Sequence, residues 1–77
     1  MITDQLQILV FRSNINDRIK VRVVKRELLS RKDIYSVNID LKDWEKVLRV
    51  ECHPEVQSRL IEEQVAKLGL YCAELTS

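Results

Sequence analysis

The chain has 77 residues and a mass of 9.1 kDa, which is enough for one small core and too little for a separate catalytic or regulatory unit. Its composition, 45% hydrophobic and 32% charged with one Gly and one Pro, excludes a disordered tail. The formal charge of +1 excludes a strongly basic nucleic-acid-binding protein as judged by net charge. We expect a single domain over residues 1–77.

The charges are unevenly distributed along the chain. The segment from Arg12 to Lys32 holds eight basic and two acidic residues, a net charge of +6. The remaining residues include five basic and ten acidic ones, a net charge of −5. The sequence therefore predicts a molecule with a cationic segment in its first half and an anionic remainder.

No run of the sequence approaches the roughly 20 apolar residues of a membrane span, and Met1–Phe11 lacks the basic region and cleavage site of a signal peptide. We therefore expect a cytoplasmic protein without a membrane partner. In that compartment Cys52 and Cys72 are expected to be free thiols.

The first half of the chain predicts a strand and a helix. Residues rich in β-formers, Gln5–Arg12, form the strand, with Leu6, Ile8 and Val10 expected to face the core. Apolar residues then recur at helical spacing, which predicts a helix over Asp17–Arg31. Its buried stripe is Val21, Val24 and Leu28. We expect Asn14 or Asn16 to cap this helix, with Asp17 complementing the helix dipole.

The second half predicts a hairpin, a helix and a last strand. Ile34–Leu41 and Lys46–Cys52 alternate around a turn at Lys42–Glu45. The expected inward faces are Tyr35, Val37, Ile39 and Leu41 on one strand and Leu48, Val50 and Cys52 on the other. Pro54 and Glu55 predict a helix start, and Gly69 its end, before a strand over Leu70–Leu75.

The order β-α-β-β-α-β predicts an α+β fold of the ferredoxin-like type, with two helices on one face of a four-stranded antiparallel sheet. In that arrangement the first strand separates the third from the fourth. Cys52 and Cys72 are then about two strand spacings, near 9.6 Å, apart, which is beyond disulfide reach.

At this point the sequence resembles the heavy-metal-associated domain over about Leu6 to Leu75. The metal loop of that family reads Gly-Met-Thr-Cys-x-x-Cys, followed by three spaced apolar residues, and Val21, Val24 and Leu28 fit those apolar places. The strand Ile34–Leu41 and the segment from Ile61 to Leu70 also fit in register. The resemblance places Ile15 at the buried Met and places Asp17 and Lys20 at the two cysteines.

The family's metal chemistry depends on those two cysteines. A soft ion such as Cu(I) needs two convergent thiolates, whereas Asp17 and Lys20 supply one hard oxygen and one cation. We therefore expect a degenerate loop that binds no soft metal. A non-standard metal site built from Cys52, His53 or Cys72 stays open as an alternative, although two ligands do not complete a zinc site.

Enzymatic chemistry has little support in the sequence. The chain has a single His, and no Gly-rich phosphate loop is compatible with its single Gly, so we expect no catalytic residue and no cofactor. A basic stripe offers a nucleic-acid alternative and consists of Arg18, Arg22, Lys25 and Arg26. RNA-recognition modules with this fold stack bases on sheet aromatics, and the third strand lacks their signature.

An apolar pair on the first helix falls outside its buried stripe. Ile19 and Val23 are expected to be partly exposed among Arg18, Arg22 and Arg26. Apolar residues rimmed by arginines are typical of a modest protein-binding surface. The sequence thus favours a non-enzymatic protein-interaction module. Its partner is another protein or a second copy of the chain, whose acidic Glu55, Glu62 and Glu63 would complement the basic helix.

Overall fold

A computed structural model describes residues 6–75 and confirms the predicted order of elements and the ferredoxin-like sandwich. The elements are β1 (Gln7–Ser13), α1 (Arg18–Leu29), β2 (Ile34–Ile39), β3 (Leu48–Cys52), α2 (Ser58–Lys67) and β4 (Cys72–Glu74). The sheet order is β2-β3-β1-β4, and each neighbouring pair is antiparallel. The central β1 therefore separates β3 from β4, as predicted.

One continuous apolar core lies between the sheet and the helices. Fully buried side chains come from every layer, and no polar or charged residue is buried among the described residues. The largest are Phe11, Ile15, Leu28, Leu48 and Ile61. A chain of this size cannot compensate an unpaired buried charge, which is consistent with this apolar interior.

The inward face of β1 differs from the sequence prediction. Leu9 and Phe11 are buried, whereas Leu6 is 43% exposed and Ile8 is 52% exposed. Both alternating sets of this strand contain apolar residues, so the two-residue period alone does not determine which set faces inward. The buried set includes the large Phe11 ring, whose burial contributes more than that of a smaller side chain. Gln5, the predicted first residue of the strand, lies outside the described residues.

The predicted inward face is confirmed for β3, whereas the prediction for β2 is wrong at Tyr35. Leu48, Val50 and Cys52 of β3 are fully buried, as predicted. In β2 the predicted inward Tyr35 is 49% exposed, because an irregularity between Ile34 and Ser36 shifts the register with β3. The regular alternation resumes beyond it. The two strands are also shorter than predicted, so that a longer connection links them.

The second helix begins later than predicted and ends as predicted. Pro54 and Glu55 form a turn, and α2 starts at Ser58 without a side-chain cap. At the other end Gly69 has a φ of 80°, and its N–H donates to Ala66 O at 2.9 Å while Leu70 N–H donates to Val65 O at 3.3 Å. These two bonds form the glycine-terminated helix end that the sequence predicts.

Candidate functional site: the β1–α1 loop and the outer face of α1

The β1–α1 loop is anchored to the β2–β3 connection by Ser13. The Ser13 hydroxyl donates to Lys46 O at 2.7 Å and accepts the Ile15 N–H at 3.1 Å. The Ser13 N–H donates to Glu45 O at 3.0 Å. Ile15 itself is fully buried, at the position where the resemblance places a buried Met. The loop is therefore fixed by the hydrogen bonds of Ser13 and by the burial of the Ile15 side chain.

A second set of bonds ties this loop to the connection between α2 and β4. Asn14 N–H donates to Tyr71 O at 3.1 Å, and Tyr71 N–H donates to the Asn14 side-chain oxygen at 2.8 Å. The Asn14 side chain is thus engaged across the molecule and does not cap the helix, which corrects one predicted role.

Asp17 is the N-cap of α1. Its Oδ1 accepts the Lys20 backbone N–H at 2.8 Å, while its backbone is extended. The Asn16 side-chain oxygen instead accepts from Lys20 Nζ at 3.1 Å. The prediction that Asn14 or Asn16 caps the helix was therefore wrong. Asp17 lies one residue closer to the first helical turn, where its carboxylate reaches the free N–H.

Lys20 places a cation beside the β1–α1 loop. Its Nζ is 3.8 Å from Asp17 Oδ2 and 3.1 Å from Asn16 Oδ1, and both members of the ion pair are partly exposed. Asp17 and Lys20 are the positions that the resemblance assigns to the metal cysteines. The Asp17 carboxylate is already paired with the Lys20 ammonium group, which repels a further cation, and neither group is a soft ligand. These residues therefore do not fit a soft metal ion.

The alternative metal ligands are not brought together. Cys52 pairs with Gln7 on one side of β1, and Cys72 pairs with Ser13 on the other, six residues further along that strand. That offset adds about 20 Å along the strand to the two strand spacings predicted from the sequence. Among residues 6–75, no three His, Cys, Asp or Glu side chains are grouped so that they could share a metal ion.

Both thiols are buried and free. Burial raises the pKa of the Cys52 thiol, and a hydrogen bond with Gln7 opposes that change. Burial, with a smaller contribution from the Glu62 carboxylate, raises the pKa of Cys72 to about 12. The neighbouring His53 accepts the Glu55 N–H on its Nδ1 at 3.1 Å. Both thiols are therefore shielded from solvent and protonated at neutral pH, which disfavours metal binding and nucleophilic attack.

The outer face of α1 carries the exposed apolar pair that the sequence predicts. Ile19 is 74% exposed and Val23 is 42% exposed, whereas Val24 and Leu28 on the opposite side are fully buried. We use the term α1 surface for five outward residues that cover an arc of about 140° on the helix. They are Arg18, Ile19, Arg22, Val23 and Arg26.

The charges of the α1 surface are not neutralised within the described part of the chain. Between Arg18 and Leu29 there are five basic residues and one acidic residue, a net charge of +4. None of the three arginines of the α1 surface has an ion-pair partner within 4.0 Å among residues 6–75. The α1 surface is thus an apolar pair surrounded by guanidinium groups that are free to bind anionic groups.

Two exposed aromatic residues near the loop were not singled out by the sequence. Trp44 is 85% exposed in the β2–β3 connection, directly before Glu45, whose carbonyl binds Ser13. Tyr71 is 52% exposed and is bonded to Asn14. The only sequence signal was a Trp within an otherwise polar turn. Both residues lie at the same end of the sheet as the first turn of α1.

The open face of the sheet does not present an aromatic platform. Phe11 is fully buried in the core, Trp44 and Tyr71 lie in connections, and Tyr35 lies on the edge strand β2. On the central strands the outward positions include Ile8, Val10, Arg49 and Glu51. The base-stacking surface of an RNA-recognition module is therefore not found in the described residues.

Two shallow depressions on the surface are lined by no residue of the α1 surface or of the β1–α1 loop. One, of about 220 Å³, lies beside Asn38 and Arg49, and the other, of about 290 Å³, lies beside Arg31 and Glu63. Both are smaller than the ~300 to 1,000 Å³ of typical small-molecule sites. Within residues 6–75, neither helix has the length and apolar character needed to cross a bilayer.

The architecture and the position of the loop define a heavy-metal-associated type of ferredoxin-like fold. Solved structures with this fold include oxidised MerP from Ralstonia metallidurans CH34, at a TM-score of 0.78 and 10% identity over 92% of this chain and 99% of MerP. The CsoZ metallochaperone is similar at a TM-score of 0.75 and 14% sequence identity, over 88% of this chain and 97% of the CsoZ chain. At these identities the likeness establishes the fold alone.

The N-terminal domain of the zinc(II) ATPase ZiaA, in its apo form, is a third similar structure, at a TM-score of 0.75 and 19% identity over 91% of this chain and 99% of that domain. No family model matches the sequence, and no curated protein is significantly similar to it.

Proposed function

We propose that the chain is a cytoplasmic, non-enzymatic protein-interaction module that has kept the heavy-metal-associated type of fold and lost its metal function. Its docking site is the α1 surface, and its partner is a protein with an acidic patch. The single observation that carries this proposal is the 74% exposure of Ile19 in a helix with a net charge of +4.

The composition of the α1 surface supports protein docking. Arginine is enriched in protein interfaces, whereas a solvated helix face needs no apolar residue beside its charges. Ile19 and Val23 are one turn apart, so both can be covered by one partner element. Covering them would remove apolar area from water while the arginines remain at the rim.

The charge of α1 specifies the partner's chemistry. With a net charge of +4, and with no ion pair on the arginines of the α1 surface within the described residues 6–75, the helix attracts an acidic protein surface. Rim charges of this kind mainly accelerate association and are screened by salt. A second copy of the chain is a weaker candidate for this site, because Glu62 and Glu63 of α2 share that helix with Arg59 and Lys67.

Metal handling is the alternative that the similar structures favour, since they include a metallochaperone and a domain of a zinc(II) ATPase. In this chain it would require Cys52, His53 or Cys72. The burial of both thiols and the separation of Cys52 and Cys72 along β1 count against it. Nucleic-acid binding by the basic helix is a further alternative, and it predicts an affinity that falls with salt by a log-log slope near −0.9 per neutralised phosphate.

Site-specific photo-crosslinking tests the proposal. A diazirine amino acid at position 19, within the α1 surface, should give adducts with an acidic protein in an extract of the source organism. The same group at position 8, on an exposed residue of strand β1, is the control. Adding Arg22→Glu and Arg26→Glu should abolish the adducts at position 19. Equal adducts at both positions, or adducts that persist after charge reversal, would contradict the proposal.

A further inference from the structure

The two edges of the sheet are protected to different degrees. Strand β4 has only three residues, and the N–H of Glu74 that points away from β1 is bound by the Glu62 carboxylate at 3.0 Å. The opposite edge strand, β2, has six residues, Ile34–Ile39, and none of them is charged. Short strands and edge charges are the usual means of preventing edge pairing. Among the described residues, the β4 edge has both of these features, whereas β2 is neither short nor charged.

The hydrogen-bond ladder shows which backbone groups of β2 face the open edge. Asp40 N–H donates to Val47 O at 2.9 Å, so Asp40 and Val47 form a hydrogen-bonded pair of the antiparallel ladder. Such pairs alternate with pairs whose N–H and C=O point away from the partner strand. Since Ile39 is opposite Leu48 and Val37 is opposite Val50, these two β2 residues direct their backbone groups away from β3.

We propose that β2 pairs antiparallel with the β2 strand of a second copy, so that two four-stranded sheets join into one. Val37 of each copy then forms two backbone hydrogen bonds with Ile39 of the other copy. Around the two-fold axis these bonds satisfy four N–H groups and four carbonyl groups. Asn38 lies on the axis and faces Asn38 of the other copy on the open side of the sheet, where the two amides can bond. This association is separate from the α1 surface and does not depend on the proposed function.

The charges that flank β2 are complementary in this arrangement. Before the strand, Arg31 and Asp33 are paired at 3.1 Å, so that Lys32 leaves a net charge of +1. After it, Asp40, Lys42 and Asp43 carry a net charge of −1. Antiparallel pairing brings the basic flank of one copy beside the acidic flank of the other at both ends, whereas parallel pairing would bring like charges together.

The register irregularity near Tyr35 limits the contact. Irregularities at an edge twist the strand away from a partner, and this one lies between Ile34 and Ser36. The regular part, Ser36 to Ile39, is left for pairing. So short a contact buries less area than a stable interface needs, and we therefore expect a weak dimer that forms at high protein concentration.

Charge substitutions at Asn38 test the proposal by sedimentation equilibrium from micromolar to millimolar concentration. The wild type should show a reversible monomer–dimer equilibrium. Asn38→Lys and Asn38→Asp should each weaken it at least tenfold, because like charges would then face each other across the axis, and an equal mixture of the two should restore dimers. Ile8→Lys adds the same charge to an exposed residue of the central strand β1, and it should leave dimerisation unchanged.

Amide hydrogen exchange gives an independent readout. Val37 and Ile39 should become protected as the concentration rises, whereas Arg18 at the start of α1 should not. A wild type that stays monomeric at millimolar concentration would overturn the proposal. So would a dimer that is insensitive to Asn38→Lys, or one that is lost in Ile19→Gln/Val23→Gln instead, since that result would place the contact on the α1 surface.

Discussion

The Lys20 ammonium nitrogen lies 3.8 Å from the carboxylate of Asp17, whose other oxygen accepts the Lys20 backbone N–H at 2.8 Å. The two residues that the resemblance places at the family's metal cysteines thus interact with each other. The ion pair is partly exposed and contributes little to stability, whereas the N-cap bond fixes the first turn of α1. This N-cap bond is made by the chain's own groups and does not involve a metal ion.

The first prediction concerns metal affinity. Titrating reduced protein with Cu(I) or Zn(II) against a competing chelator should reveal no site tighter than micromolar, because the loop presents an oxygen and a cation. The double variant Asp17→Cys/Lys20→Cys should bind Cu(I) stoichiometrically in the same competition, since two thiolates then lie on one helical turn. Asp17→Ser/Lys20→Ser is the matched control. Stoichiometric binding by the wild type that disappears in Cys52→Ser would establish the metal alternative.

The second prediction concerns the helix cap. Asp17→Ala should lower the free energy of unfolding by about 0.5 to 2 kcal/mol, because the Lys20 N–H loses its acceptor. Asp17→Asn retains an acceptor oxygen and should lose much less. Urea denaturation of the three proteins measures the difference. A loss in Asn16→Ala as large as that in Asp17→Ala would show that Asn16 carries the cap in solution.

The third prediction separates the two faces of α1. Ile19→Gln and Val23→Gln should each change the free energy of unfolding by no more than about 0.5 kcal/mol, because neither leaves a cavity. Leu28→Ala removes a fully buried side chain and should cost about 2 to 5 kcal/mol. Chemical denaturation with a common m-value provides the comparison. A large loss from Ile19→Gln would mean that Ile19 belongs to the core and not to a docking surface.

The fourth prediction concerns alkaline stability. Burial raises the pKa of Cys72 to about 12, whereas an unfolded cysteine ionises near pH 8.5. Between these values the unfolded state loses its proton and the folded state keeps it, so stability falls with rising pH by up to about 1.4 kcal/mol per pH unit for this thiol. Below about pH 8 the effect is absent.

The matching variant is Cys72→Ala, which should unfold more easily at neutral pH and show a shallower decline above pH 9 than the wild type. The difference between the two slopes isolates Cys72 from the Lys and Tyr residues that titrate in the same range. Identical slopes, or alkylation of Cys72 in the folded protein as fast as in the unfolded chain, would contradict a buried thiol.

The sequence was sufficient to predict burial and helix ends where the pattern of apolar residues was compatible with only one arrangement. Leu48, Val50 and Cys52 alternate with polar or less apolar neighbours, and all three are buried. Gly69 ends α2 because the left-handed φ of 80° there is strained for a residue that carries a Cβ atom. Ile19 and Val23 were also correctly predicted to be exposed, since the helical period left them outside the buried stripe.

The sequence was insufficient where the two faces of a strand are similarly apolar, or where a residue's role depends on a contact with a residue far away in the chain. Ile8 and Leu9 are chemically similar neighbours, and only the burial of Phe11 two residues later determines which of them faces inward. The exposure of Tyr35 depends on a register shift that no local pattern encodes. The role of Asn14 depends on Tyr71, which is 57 residues away, so the choice of Asp17 as the helix cap could not be made from the loop alone.

Quantitative capture measures directly whether the α1 surface binds an acidic partner. Immobilised wild-type protein and two equally folded variants are incubated with extract of the source organism, and the bound proteins are measured by mass spectrometry. One variant is Ile19→Gln/Val23→Gln. The other, Ile8→Gln/Leu75→Gln, changes two exposed apolar residues of the sheet side, which are 52% and 36% exposed.

An acidic protein should be retained by the wild type and by the sheet variant, should be lost from the α1 variant, and should be released as salt is raised. Retention that is equal on all three proteins, or that is lost only in the sheet variant, would contradict this prediction.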